Sequence, residues 1–343
     1  MANETSGLGF GAMAVAVEEE PRRTAVERPS WQARHNTLLT LIAASIVPAL
    51  YLGYVNHFAI NALQGDDWNT VPGVNDAIHG HFSLGQLWTQ YSETRIPLVR
   101  AVFDIWGVVD HLDTRPLILF NALLFIAAFG LVLALCRRYI ERPLTPLPVL
   151  VVGLVWFSLA DVQTSLWAFQ VGWYLVVLGF VGCVGALFLP VGRRQLWLAV
   201  AIGMAVIASL AFVQGFIVWP LGLVCILWAQ PRARESLREA AVWIGAAFVT
   251  AVVYFAGFNF SLNGCFDPSQ CSASSALSNP TTSARFLLIL LGNIVPGRYW
   301  EVHGTPSYTR FEVLGFVVLV VGAYIVVQSL RHRDVERLPL PFS

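Results

Sequence analysis

Apolar runs of about twenty residues recur along this chain, and each is long enough to cross a hydrocarbon core of roughly 30 Å as a helix. They fall near 37–56, 116–136, 144–160, 171–191, 195–213, 216–230, 240–257 and 312–330. The pattern predicts an all-α polytopic membrane protein with eight transmembrane helices. A mean hydropathy of +0.64, with 56% hydrophobic and 12% charged residues, excludes a typical soluble protein. The 21 basic residues, all arginine, balance 21 acids, so net charge gives no argument for nucleic acid, and none is expected as a partner.

Arginine placement sets the expected direction of the spans, because cytoplasmic loops carry the excess of basic residues. With the N-terminus inside, 15 of the 21 arginines fall on the cytoplasmic side, in "EEEPRR" and its neighbours, "RRYIER", "GRR", "PRARESLRE" and "RHRDVER". Residues 1–36 are too polar to bury a core and are expected as a disordered cytoplasmic tail, and 331–343 as a cytoplasmic tail at the other end. The patch "GLGFGAMAVAV" lacks a basic flank, which argues against a signal peptide. The segment 284–297 is apolar but short and closed by Pro-Gly, so it is expected to be re-entrant or interfacial. Trp156, Trp167 and Trp173 flank the outer end of one helical hairpin, as interfacial aromatics do.

On this topology the acids gather outside. Eleven of the 21 fall on outer segments, and seven of those lie between residues 61 and 115: Asp66, Asp67, Asp76, Glu93, Asp104, Asp110 and Asp113. The same loop is patterned. "SLGQLWTQYSET" opens with Ser83 and has Gln86 at the capping-box spacing. Leu84, Leu87, Trp88 and Tyr91 then repeat at i, i+3, i+4, i+7, predicting an amphipathic helix over 83–95. Pro97 opens a second predicted helix over 97–111, with Arg100 and Asp104 four apart on one face. Two interfacial helices would then lie on the outer leaflet, with Asp66 and Asp67 on the segment that enters them.

Adjacent carboxylates commonly hold a hard divalent cation, act as a general base toward a hydroxyl, or solvate a loop. Here the pair is followed by Trp68 and sits immediately after the first span in "QGDDWN". On those residues, and on the two juxtamembrane helices, the chain resembles the GT-C class of membrane glycosyltransferases, which use polyprenyl-phosphate-linked sugars. The resemblance covers the whole chain in architecture and residues 61–115 in motif. It implies transfer of a sugar from such a donor to a glycan, lipid or protein acceptor at the outer face of a bacterial plasma membrane. It assigns Asp66 as the catalytic base and Asp67 as the residue that orients it or helps hold Mg or Mn; no other cofactor is implied. Many members continue into further spans or a soluble domain, whereas this sequence ends at "RLPLPFS". A minimal core, a degenerate relative and one half of a complex are all compatible with that ending. Outside the resemblance, a non-catalytic partner or flippase for lipid-linked glycans and a glycan polymerase or ligase are the rival readings.

The expected substrate-binding residues are Trp68, Glu93, Arg95, Arg298, His303 and Gln170. A leaving phosphate needs a cation, and a bidentate arginine suits it. Arg95 in "ETRIP" either serves that role or pairs with Glu93 or another loop acid. Arg298 in "PGRYWEVHG" either meets the lipid phosphate or snorkels to the interface. Gln170 in "WAFQVGWY" either hydrogen-bonds a sugar or packs between helices. Cys265 and Cys271 in "CFDPSQC" lie in a predicted outer loop and are expected to form a small-loop disulfide. His79 and His81 lack further ligands within their motif and read as a solvated pair.

Overall fold

The computed structural model describes residues 31–139, 144–159, 162–188, 193–229, 233–259, 278–292 and 308–331. The described chain is helical throughout apart from one two-stranded hairpin. The first half runs α1 (Trp31–Phe58), α2 (Val71–Ile78), α3 (Leu84–Leu87), β1 (Gln90–Tyr91), β2 (Thr94–Arg95), α4 (Pro97–Asp110), α5 (Thr114–Tyr139), α6 (Pro146–Trp156) and α7 (Val162–Ser165). It continues with α8 (Val171–Phe188), α9 (Arg194–Ala211), α10 (Val218–Ala229), α11 (Ala233–Phe255), α12 (Pro280–Gly292) and α13 (Thr309–Arg331). Short 3₁₀ turns lie at Gly65–Asn69, Ala168–Gln170 and Val213–Ile217.

Five stretches are long and apolar enough to cross a membrane: His35–Phe58, Thr114–Arg138, Ala168–Phe188, Arg194–Ala211 and Ser236–Phe255. These are the features of an integral membrane protein. Leu38, Ile42, Ile46 and Leu50 on α1 and Phe248, Val249 and Val252 on α11 are exposed, which is the arrangement lipid-facing helix surfaces require. Two of the eight expected spans are shorter than the sequence suggests. The run at 144–160 forms only α6, whose 11 residues reach about 16 Å at 1.5 Å per residue, half a hydrocarbon core. Pro146 and Pro148 occupy its first turn, and Thr145 before them is extended, so the helix cannot start earlier. The run at 216–230 overlaps a shorter apolar stretch, Val213–Leu227, that begins as a 3₁₀ turn. The expected eighth span lies inside the continuous α13.

Small residues fix the closest helix contacts, as they do where helices pack without a hydrophobic drive. Ala201, Ala205 and Ala208 of α9 are fully buried against α8, and a Cβ at Gly179 would stand 2.8 Å from the Met204 carbonyl oxygen. Helices α12 and α13 meet the same way, with Gly292 against the Phe311 carbonyl and Gly315 against that of Leu288. Tryptophans then tie α9, α10 and α11: Trp243 Nε1 donates to the Trp219 carbonyl at 2.8 Å, and Trp219 Nε1 donates to Ser209 Oγ at 2.9 Å.

The two ends of the bundle are chemically different. At one end, Arg194 makes a two-pronged ion pair with Glu239 at 2.9 and 2.8 Å, joining the starts of α9 and α11. At the other end, the 61–113 segment gathers the ends of α1, α9 and α11 and the starts of α5 and α8. Thr114 Oγ1 donates to the Ile60 carbonyl at 3.0 Å and accepts from Ala62 N at 3.1 Å, and Val213 N donates to Thr94 Oγ1 at 3.2 Å.

The loop itself departs from expectation in its first part. The predicted helix over 83–95 is a single turn, α3, followed by the β1–β2 hairpin, and an unexpected helix, α2, precedes it. Ser83 does cap α3, its Oγ accepting from Gly85 N at 3.2 Å. Gln86 does not close a capping box; its amide donates to Asp76 instead. The helix stops because Gln90 and Tyr91 pair with Arg95 and Thr94 across a tight turn with Ser92 at φ 50°. The second predicted helix, over 97–111, is present as α4 with Pro97 in its first turn.

Candidate functional site

The acidic pair is divided by burial. Asp67 is fully buried, and its Oδ2 accepts from Gln64 N at 2.8 Å. Its own carbonyl accepts from Thr70 Oγ1 at 2.7 Å. The carboxylate therefore reaches back to the residue that caps the 3₁₀ turn and satisfies a donor that the turn leaves free. Trp167 closes the turn from above. Its Nε1 donates to the Gln64 carbonyl at 3.0 Å, and its ring lies so close to Gly65 that a Cβ there would stand 2.8 Å from Cζ2. Gly65 also sits at φ +46°, a conformation that glycine adopts without cost.

The segment that carries Trp167 is fixed from within the bundle. Asn121, buried in α5, donates to the Trp167 and Ala168 carbonyls at 3.2 and 3.0 Å. An amide inside an apolar run was visible in the sequence; that it holds the neighbour of the acidic motif was not.

Burial shapes the electrostatics. It pushes the Asp67 carboxyl from 3.8 up to about 6, against the pull of the Gln64 and Phe169 amides and the Trp167 indole, with the Asp66 charge adding to the rise. Oδ1 of Asp67 is buried with no hydrogen-bond partner among the described residues. Asp66 is half-buried and meets Tyr91, whose phenol is raised in pKa by burial first and then by its hydrogen bond to Asp66 and the charges of Asp66 and Glu93. Asn69 Nδ2 also reaches the Tyr91 hydroxyl, at 3.4 Å. In the sequence Tyr91 read as part of an apolar stripe. Trp68 projects outward, 61% exposed, beside the carboxylate that remains available.

Glu93 and Arg95 part company in the hairpin. Glu93 is exposed at its tip, while Arg95 is buried and turns toward the end of α11. Its Nη1 donates to the Tyr254 carbonyl at 2.6 Å, its backbone N–H donates to the Tyr254 hydroxyl at 2.7 Å, and its guanidinium lies 5.6 Å from the Phe258 ring centroid. No Glu93 contact is made. Among the described residues no carboxylate lies within ion-pair distance of Arg95, and its Nε has no partner. A cation at a helix C-terminus is favoured by the exposed carbonyls there.

Arg100 and Asp104 do not form a close ion pair. Arg100 Nη1 donates to the Gln86 carbonyl at 2.6 Å, and both residues line a cavity of about 110 Å³ that also touches Asn69 and Thr70. Burial raises the Asp104 pKa against the pull of Arg100 and lowers that of Arg100 against Asp104.

Gln170 is buried on the far side of the 168–170 turn. Arg298, His303 and the Cys265–Cys271 pair lie outside the described residues. As for a cation, Mg or Mn needs several oxygen ligands. Asp67 is enclosed and already engaged with Gln64, and among the described residues no three His, Cys, Asp or Glu side chains gather where a metal could bind.

The fold and site define a helical membrane protein with an acidic, aromatic-covered loop packed on one end of its bundle. Comparison with protein-family models, curated proteins and solved structures gives no match.

Proposed function

We propose that this chain is a GT-C type glycosyltransferase that transfers a sugar from a polyprenyl-phosphate-linked donor to an acceptor hydroxyl at the outer membrane face. The observation that carries the reading is the division of labour in the acidic pair. Asp67 is enclosed and spent on holding the turn, whereas Asp66 stands half-buried beside Tyr91. A base needs that combination of fixed backbone and reachable oxygen.

In the proposed step Asp66 takes the proton of the acceptor hydroxyl as that oxygen bonds to the anomeric carbon. The anomeric carbon–oxygen bond to the phosphate breaks, and the polyprenyl phosphate leaves with the electron pair. Tyr91 stands beside the Asp66 carboxylate. Arg95 is the described cation that best suits the departing phosphate, since it is buried without a carboxylate partner and an anion would supply the missing charge. The loop's position at the end of the bundle opposite the Arg194–Glu239 pair supports an outward-facing site, because Arg137, Arg138, Arg193 and Arg194 lie at that other end and cytoplasmic ends carry the excess of basic residues.

The test is transfer of labelled sugar from a panel of polyprenyl-phosphate donors by the chain in lipid, with Asp66→Asn and Asp67→Asn alongside. Asp66→Asn is expected to lower turnover by about 10²- to 10⁴-fold with donor binding intact, and Asp67→Asn to retain measurable transfer. Donor binding without transfer by the unaltered chain would remove the enzymatic reading and favour a recognition or flippase role.

A further inference from the structure

A cavity of about 410 Å³ opens at the end of α6, between Trp156, the middle of α5 and the start of α8. Its walls are aromatic: Phe125 of α5, Trp156 at the end of α6, and Trp173 and Tyr174 of α8. Phe125 lies 11 residues into its helix, about 16 Å from the end that carries the acidic loop. The cavity therefore reaches from the start of α8, where Ser165 and Gln170 lie, to the middle of α5.

Two polar side chains face this space with nothing to bind. Ser165 and Gln170 both line the cavity and are only 7% and 8% exposed. Neither side chain has a hydrogen-bond partner among the described residues. Trp156 Nε1 is also buried and unpartnered among them. Buried polar groups are paired in the great majority of cases, so the Trp156 indole N–H awaits an acceptor, and the Ser165 and Gln170 side chains are open to whatever the cavity holds. No described lining residue is charged, which disfavours a phosphate or carboxylate, because an unpaired ion would lose its hydration without compensation. Aromatic walls with a few polar groups, in a volume of this size, make the usual form of a small-molecule pocket.

We propose that this cavity binds the ring of a neutral sugar, as a second saccharide site distinct from the acidic motif. A hexopyranose offers apolar C–H faces to Trp173 and Trp156 and equatorial hydroxyls to the Gln170 amide and the Ser165 hydroxyl. An amide both donates and accepts, so Gln170 can engage two adjacent hydroxyls at once. The inference rests on the cavity's own geometry and holds whether or not Asp66 is a catalytic base.

The experiment is saturation-transfer difference NMR on the full chain in phospholipid nanodiscs, titrated with methyl hexopyranosides. Saturable binding is expected, with the strongest transfer to ring C–H protons. Gln170→Leu, which removes both of its hydrogen bonds, should weaken it about thirtyfold, and Ser165→Ala, which removes one, should weaken it about fivefold. Asp66→Asn should leave this binding unchanged even where it abolishes transfer, so the two readings fail separately. Nanodiscs containing a glycosyl-diacylglycerol separate the sources: displacement of the soluble glycoside by that lipid identifies a glycolipid headgroup, and no displacement identifies a free glycan. Absence of saturable binding, or equal binding by folded Gln170→Leu and Ser165→Ala, would mean that the cavity holds water only and would overturn the proposal.

Discussion

The buried carboxyl of Asp67 makes stability depend on pH in a direction that is unusual for an aspartate. Its pKa rises from 3.8 to about 6 in the folded protein, so the folded state binds the proton more tightly than the unfolded chain. The contribution of Asp67 to stability is therefore fully present below about pH 4 and is lost as the pH rises through about 6. A rise of about two units corresponds to about 3 kcal/mol between the two limits. The perturbation is Asp67→Asn, which keeps an acceptor for the Gln64 N–H but cannot ionise. Because Asp104 is also raised by burial, the informative quantity is the difference between the unaltered chain and the variant. Apparent melting temperatures in nanodiscs, taken from pH 4 to 8, should show the variant gaining on the unaltered chain by a few degrees, with a midpoint at about pH 5, halfway between the folded and unfolded values, and little further change above about pH 6. Any fixed offset from placing an amide beside the Trp167 and Phe169 donors cancels in that difference. A difference that stays flat across the range would refute the claim that Asp67 is desolvated.

Gly65→Ala places a methyl group against Trp167 at a residue with φ +46°. It should cost about 1–2 kcal/mol from the left-handed backbone alone, displace the indole, and lower both the melting temperature and any transfer by Asp66. Tyr254→Phe removes the hydroxyl that receives the Arg95 N–H and touches Thr94. The unsatisfied donor should cost about 1–3 kcal/mol and appear in hydrogen exchange as faster opening of residues 90–95, with α8 and α9 unaffected; unchanged exchange would show that the hairpin does not depend on α11.

The sequence is most legible where one interaction dominates. Long apolar runs predict helices because lipid leaves the backbone no other partner, and Pro97 marks the start of α4 by local geometry alone. It is least legible where a distant partner decides. Leu84, Leu87, Trp88 and Tyr91 carry a helical spacing, yet the backbone after Trp88 turns into a hairpin whose Gln90 side chain bridges Ser92 and Asn259. That bridge spans 169 residues and leaves no local trace. The adjacent aspartates look alike in "GDDWN", and what separates them is Trp167, about a hundred residues further on. Arg95 suggested an ion pair with a neighbour two positions away; its partner is a carbonyl at the end of α11. The length of α6 was misjudged for a different reason, since hydropathy measures how apolar a run is and not where its helix stops.

The turn at 168–170 joins the two polar regions of the molecule. On one side Trp167 and Phe169 cover Gly65 and Asp67; on the other, Gln170 lines the aromatic cavity. Between them, Asn121 grips two successive carbonyls, which removes the freedom a short 3₁₀ segment would otherwise have. A group that hydrogen-bonds Gln170 therefore acts on a backbone already clamped, and its binding energy is not dissipated in ordering the turn. The same clamp makes the 167–170 segment the shared wall of the acidic motif and the cavity, so a change that loosens Asn121 should disturb both at once.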